Sequence, residues 1–236
     1  MQDKCKTYWE RMATKLAICW SEEILQIATY NSEISDRGNL IVVLKDDSIK
    51  NIVKAHSVVK ELTKMGMEPP LVVSEDYIAN SLDSFPLEFL NIKTDYQNVI
   101  VKKEVLEGLQ FEKSYIRLEM ERELKSKILL IKMAILDNYG KPKVMRNLIK
   151  VSVHSIEPIL KGLLFLLDVP IPLNHKELID KADEVTDFPI DSLLTAVDFT
   201  LGRTAIKKED FTGFFDTFTK QLQVLSDFIE QLKIKG

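Results

Sequence analysis

Ser32, Arg37 and Asn39 lie in a polar stretch, "SEISDRG" followed by Asn39, that runs directly into the apolar segment "LIVVL". A turn of this kind can hold anionic oxygens through a serine hydroxyl and backbone N–H groups, and alternate residues entering a strand point to one face. Two acids at such alternate positions would share a divalent cation. The alternate positions here are Arg37 and Asn39, a fixed cation and a neutral amide with a single acceptor oxygen. They can attract and hydrogen-bond an anion, but they cannot chelate a metal. A shifted register does not rescue an acidic pair. Asp36 has no acid two residues away, and Asp46 and Asp47 are adjacent, so on a strand they face opposite ways. The ordinary reading of Asp46 and Asp47 is a solvated strand exit that caps a helix starting near Ser48. Gly38 is expected to permit either a bulge or a positive φ where the turn meets the strand.

The remaining chemistry-bearing residues are dispersed. His56 falls on the apolar stripe of a helix and reads as a core or cleft-edge residue. His175 follows "VPIPLN" in a loop without a Cys or second His nearby, a poor setting for a metal. Cys5 and Cys19, the only cysteines, fall in one expected helix and read as reduced structural thiols. Lys141, Lys143, Arg146 and Lys150 form a run uninterrupted by acids, a candidate site for an anion or for the acidic face of a partner, although a solvated helix face is the commoner outcome. No GxxxxGK[ST] loop, GxGxxG turn after a strand, or HExxH helix is present.

The elements that must position these residues differ between the two ends of the 236-residue chain. Up to about residue 110 the pattern alternates helical stripes with short apolar runs, and beyond it the pattern is helical almost throughout. The expected class is α+β, with domains at 1–110 and 111–236. The expected order is a helix carrying Trp9, Met12, Leu16, Cys19 and Trp20, a strand at "NLIVVLK", a helix ending at Gly66, a strand at "PLVVS", a short helix after Ser74, then an antiparallel pair formed by "PLEFLNIK" and "QNVIVK". Glu121 with Lys125 and Glu123 with Lys127 are spaced for ion pairs worth about 0.2–0.5 kcal/mol each. The run "ILLIKMAIL" beyond them is apolar nearly all round and is expected to be buried among other helices. Phe211, Phe214, Phe215, Phe218, Leu222, Leu225, Ile229 and Leu232 form a seam for a helical bundle, in which burying each Phe contributes about 1.5–3 kcal/mol.

With 32 basic and 36 acidic side chains, the net charge of −4 gives no support to nucleic-acid binding through bulk charge. No apolar run is long enough to span a bilayer, and the charged opening "MQDKCKTYWERMATK" lacks the apolar core of a secretory signal. The expectation is a cytoplasmic chain without a membrane partner.

Helix, Ser-bearing turn, short apolar strand, crossover helix, strand, antiparallel strand and then a helical bundle together resemble the nucleotidyltransferase fold of the DNA polymerase beta superfamily. "RGNLIVVLK", "FPLEFLNIK" with "NVIVKKEVLEGL", and "LEMERELKSKILLIK" are similar to a group of uncharacterised prokaryotic nucleotidyltransferase-domain proteins with a helical C-terminal domain. The resemblance implies a Gly-Ser turn and an Asp-x-Asp pair entering the strand, with a third acid on the later antiparallel strand. Together these acids would hold Mg²⁺ on a nucleoside triphosphate. On this chain only Ser32 survives from the turn, Arg37 and Asn39 replace the pair, and Glu88 is the one acid in the third position. The resemblance therefore implies a degenerate nucleotidyltransferase-fold protein with no metal site, in which Ser32, Arg37 and Asn39 are candidate nucleotide ligands and Glu88 a candidate catalytic acid. Its role would be binding of a nucleotide or of a protein partner, or homodimer formation. The competing reading is an active Mg²⁺-dependent transferase, acting on a small molecule or protein, with acids drawn from another register.

Overall fold

The computed structural model describes residues 2–30, 38–186 and 188–233, with side chains from Trp9 onward except at position 154. Ser32 and Arg37 lie outside the described residues. The chain divides into two compact units, Met1–Asp83 with Asn91–Gln110, and Ser84–Leu90 with Phe111–Gly236.

In the first unit, helix α1 (Gln2–Trp20) ends at Ser21, whose φ of 41° turns the chain into a single 3-10 turn, and strand β1 (Ile24–Tyr30) follows at once. β1 is paired on both sides: β2 (Asn39–Leu44) and β4 (Gln97–Val101) flank it antiparallel, and β3 (Leu71–Ser74) adds parallel to β2, giving the order β3-β2-β1-β4. One face of the sheet, bearing Ile27, Leu40, Val42 and Leu44, packs on Trp9, Met12, Leu16 and Trp20 of α1. Between β2 and β3 run the short helix α2 (Ile49–Ile52), a 3-10 turn and helix α3 (His56–Lys64). Helix α4 (Glu75–Ala79) starts at Ser74, whose hydroxyl accepts from Tyr77 N at 3.1 Å while its own N–H donates to Asp47 at 3.0 Å.

The sequence pattern does not disclose β1. The helix before it is ended by a left-handed Ser where Gly is the usual signal, and Gln26 and Thr29 interrupt its apolar run. "PLEFLNIK" is also corrected: it is helix α5 (Pro86–Asp95), not a strand. Proline suits the first helical position, Glu88 suits the first turn, and a short run apolar on all sides has no period that separates strand from helix. His56 is exposed rather than part of the core, since the buried positions of this region are Asn51, Ala55 and Leu62.

The second unit is helical: α6 (Lys113–Asn138), α7 (Pro142–Leu166), α8 (His175–Val185), α9 (Asp191–Thr200) and α10 (Phe211–Gln231), with Leu87 and Leu90 from the start of α5 in its core. The α10 seam is buried at Phe211, Phe215, Phe218, Leu222, Leu225 and Ile229, as its spacing requires. The Glu121–Lys125 and Glu123–Lys127 pairs form at 2.7 and 2.5 Å. "ILLIKMAIL" departs from expectation: Ile128 and Ile131 are buried, but Leu129, Leu130, Met133 and Leu136 are exposed. Where α6 contributes only one stripe to the hairpin with α7, its outer stripe stays in solvent.

Candidate functional site

The strand pairings define the second face of the sheet. Ala28 lies opposite Ile41 on one side and Asn98 on the other, Tyr30 lies opposite Asn39, and Gln26 lies opposite Val43. Alternation therefore puts Gln26, Ala28, Tyr30, Asn39, Ile41, Val43 and Asn98 on one surface. A register shift between Ile27 and Ala28 brings Asn98 into line with Ala28. Gly38 precedes β2 with a φ of 62°, in the left-handed conformation, so of its two expected roles the positive φ is the one it takes. Ile41 and Val43 are fully buried, so the polar chemistry of this face is confined to its ends, with Asn39 and Tyr30 half-buried at one of them.

Around Asn98 the polar groups satisfy one another. Gln26, fully buried, donates from Nε2 to Asn98 Oδ1 at 2.7 Å and to Glu104 Oε1 at 2.6 Å, and its Oε1 accepts from Val105 N at 2.9 Å and Leu106 N at 3.1 Å. Asn98 Nδ2 donates to Glu104 Oε2 at 2.6 Å, and Glu104 Oε1 also receives Tyr96 OH and Glu107 N, each at 3.3 Å. Burial by itself would raise the Glu104 pKa. Hydrogen bonds from Asn98, Gln26, Glu107 N and Tyr96 outweigh it and hold this carboxyl below the usual range. The Tyr96 phenol is pushed up to about 12 by burial and by the charge of Glu104. Burial, and after it the charge of Asp95, also raises Tyr30. The sequence reading missed Gln26, Asn98 and Glu104, because their convergence requires β1 in the middle of the sheet. The one available signal was the "QNVIVKKE" strand itself.

A divalent cation does not fit this donor set. Asn39 on β2 and Asn98 on β4 carry amides, the Glu104 oxygens are occupied by protein donors, and among the described residues no group of three or more His, Cys, Asp or Glu is placed to hold a metal ion.

The other expected site residues fall elsewhere. Glu88 is exposed on the first turn of α5, on a helix rather than a strand, within the second unit and beside the buried Glu119 of α6. Glu119 accepts from Leu87 N at 2.9 Å and pairs with Arg122 at 3.3 Å. Lys141, Lys143, Arg146 and Lys150 are all exposed on the α6–α7 turn and α7. Asp46 accepts from Ser48 N and Ser48 Oγ at 2.9 Å each, which holds its pKa down and makes it a turn residue.

A separate small cleft lies among the helices of the second unit, lined by Val153, Ile156, Leu178 and Leu193 with Glu157 and His175 as its polar members. Glu157 lies 3.2 Å from the fully buried Lys161 and 2.8 Å from His175 Nδ1. His175 opens α8 rather than sitting in a loop.

No family model matches this sequence, and no curated protein matches it. Among solved structures, the chain is similar to the spectinomycin adenyltransferase AAD(9) from Enterococcus faecialis, determined with ATP and spectinomycin. The TM-score is 0.55 at 11% sequence identity, over 92% of this chain and 99% of that one. The fold is nucleotidyltransferase-like. At that identity the likeness extends to the arrangement of sheet and helices, and the chemistry must come from the residues of this chain. Among the described residues no helix is long and apolar enough to cross a membrane.

Proposed function

We propose that this chain is a nucleotide-binding module built on a nucleotidyltransferase fold that has given up metal-dependent nucleotidyl transfer. One observation carries the reading: Asn39 enters β2 where transfer chemistry needs a carboxylate, the neighbouring β4 offers Asn98 on the same face, and the Glu104 carboxylate beside it is consumed by internal donors. Amides and a following or preceding cation suit a different task. Asn39, with Arg37 two residues before it in the sequence, supplies a hydrogen bond and a positive charge to a phosphate without a bridging metal. The similarity to an enzyme determined with ATP supports a nucleotide as the anion.

Titration with fluorescent ATP and GTP analogues, in Mg²⁺ and in EDTA, tests both parts. Affinity should change by less than about threefold on removing Mg²⁺. Arg37→Glu should weaken binding by about tenfold or more, the loss of one charge-assisted contact. Labelled nucleotide should not be transferred to any acceptor. Mg²⁺-dependent transfer abolished by Glu104→Gln would overturn the proposal, and failure to bind nucleotide at all would remove its first half.

A further inference from the structure

On α6, Leu129, Met133 and Leu136 recur at four and three residues and are 61%, 65% and 85% exposed. Leu130, 62% exposed, stands beside them, and Tyr139, 74% exposed, closes the stripe at the turn into α7. Leu118, 61% exposed, continues the same face three turns earlier. The inner stripe of α6 is already used: Met120, Leu124, Ile128 and Ile131 are buried in the core with Met145 and Ile149 of α7. The outer stripe thus has the spacing of a helix-packing seam and no partner among the described residues of the helical unit. An apolar strip of this length on a soluble helix marks an interaction surface.

The charges around it select the occupant. Between Ile128 and Val151 the chain carries Lys132, Lys141, Lys143, Arg146 and Lys150, all exposed, against the single acid Asp137. A second copy would bring the same five cations against these and be repelled. An acidic helix with one apolar face would bury Leu129, Met133 and Leu136 while its carboxylates meet the cations of the hairpin end. We propose that the outer face of α6, from Leu129 to Tyr139, is the docking surface for an acidic amphipathic helix of a partner protein. This surface is independent of the nucleotide reading, since it lies wholly within the helical unit.

The probe is a fluorescein-labelled 18-residue peptide with leucines at helical three- and four-residue spacing and glutamates elsewhere, set against a control in which every Glu is Lys. Anisotropy titration of the full chain should show the acidic peptide binding at least about tenfold more tightly than the basic one, with affinity falling as salt rises. The double substitution Met133→Glu with Leu136→Glu should weaken it by about tenfold or more, while circular dichroism stays unchanged because both positions face solvent. Nucleotide titration of the same variant should match the parent. Equal binding of the two peptides, or no loss in the double variant, would refute the proposal. So would a parent dimer in light scattering that this variant dissociates, which would make the occupant a second copy. Sedimentation with phosphatidylglycerol vesicles that only the parent shows, without peptide binding, would make it a membrane surface and equally refute it.

Discussion

Replacing Glu119 by Gln tests whether the acid once expected to be catalytic, Glu88, is instead half of a structural carboxyl pair. Glu119 is 5% exposed and its pKa is raised to about 7. Burial is the main cause, opposed by the hydrogen bond from Leu87 N and reinforced by the neighbouring charge and hydrogen bond of Glu88, with Arg122 a smaller opposing influence. An acid whose folded pKa lies above its unfolded value binds more protons in the native state. Its favourable contribution is therefore complete below about pH 4.5 and is lost as pH rises through about 7. A rise from 4.5 to about 7 corresponds to about 3 kcal/mol, and with part of that charge screened by solvent about 2 kcal/mol is the expected loss. In Glu119→Gln the side-chain carbonyl still accepts from Leu87 N and the amide donates to Glu88, but nothing ionises. Urea unfolding of both proteins at pH 5, 6, 7 and 8 measures the difference directly, since groups titrating elsewhere cancel. The parent should lose about 2 kcal/mol relative to Glu119→Gln between pH 5 and pH 8. A difference that is flat, or that favours the parent as pH rises, would refute the reasoning.

Other consequences follow from the same packing. Gln26→Leu keeps the volume but strands Val105 N and Leu106 N and removes the donor to Asn98 and Glu104, so denaturant midpoints should correspond to a loss of about 2–5 kcal/mol. Lys161→Met removes the buried ammonium beside Glu157 and should cost about 3–5 kcal/mol at neutral pH, with part of the loss recovered when Glu157→Gln is added. Phe218→Ala, at a position 1% exposed in the α10 seam, should cost about 3–5 kcal/mol in chemical denaturation.

The legible parts of this fold are those whose periodicity is one-sided. "NLIVVL" and "PLVVS" stand out as strands because apolar β-branched residues are bounded by turn residues, and the α10 seam stands out because its phenylalanines repeat at three and four residues. α5 was not legible, because burial of Leu87, Phe89, Leu90 and Ile92 leaves no blank face from which to read a period. The outer stripe of α6 misleads for the converse reason. Apolar residues all round a helix imply burial all round, and nothing local shows that only one side has a partner.

The sequence by itself determined that a fixed cation and an amide, Arg37 and Asn39, stand two residues apart before an apolar run, and that a helical half follows a mixed one. Those conclusions rest on side-chain chemistry and short-range period, which a linear chain displays. Only the tertiary structure decided that β1 lies between β2 and β4, bringing Gln26, Asn98 and Glu104 together from positions more than seventy residues apart in the case of Gln26 and Asn98. Strand neighbourhood in a sheet is set by which faces the helices can cover, a long-range packing balance that no local spacing encodes.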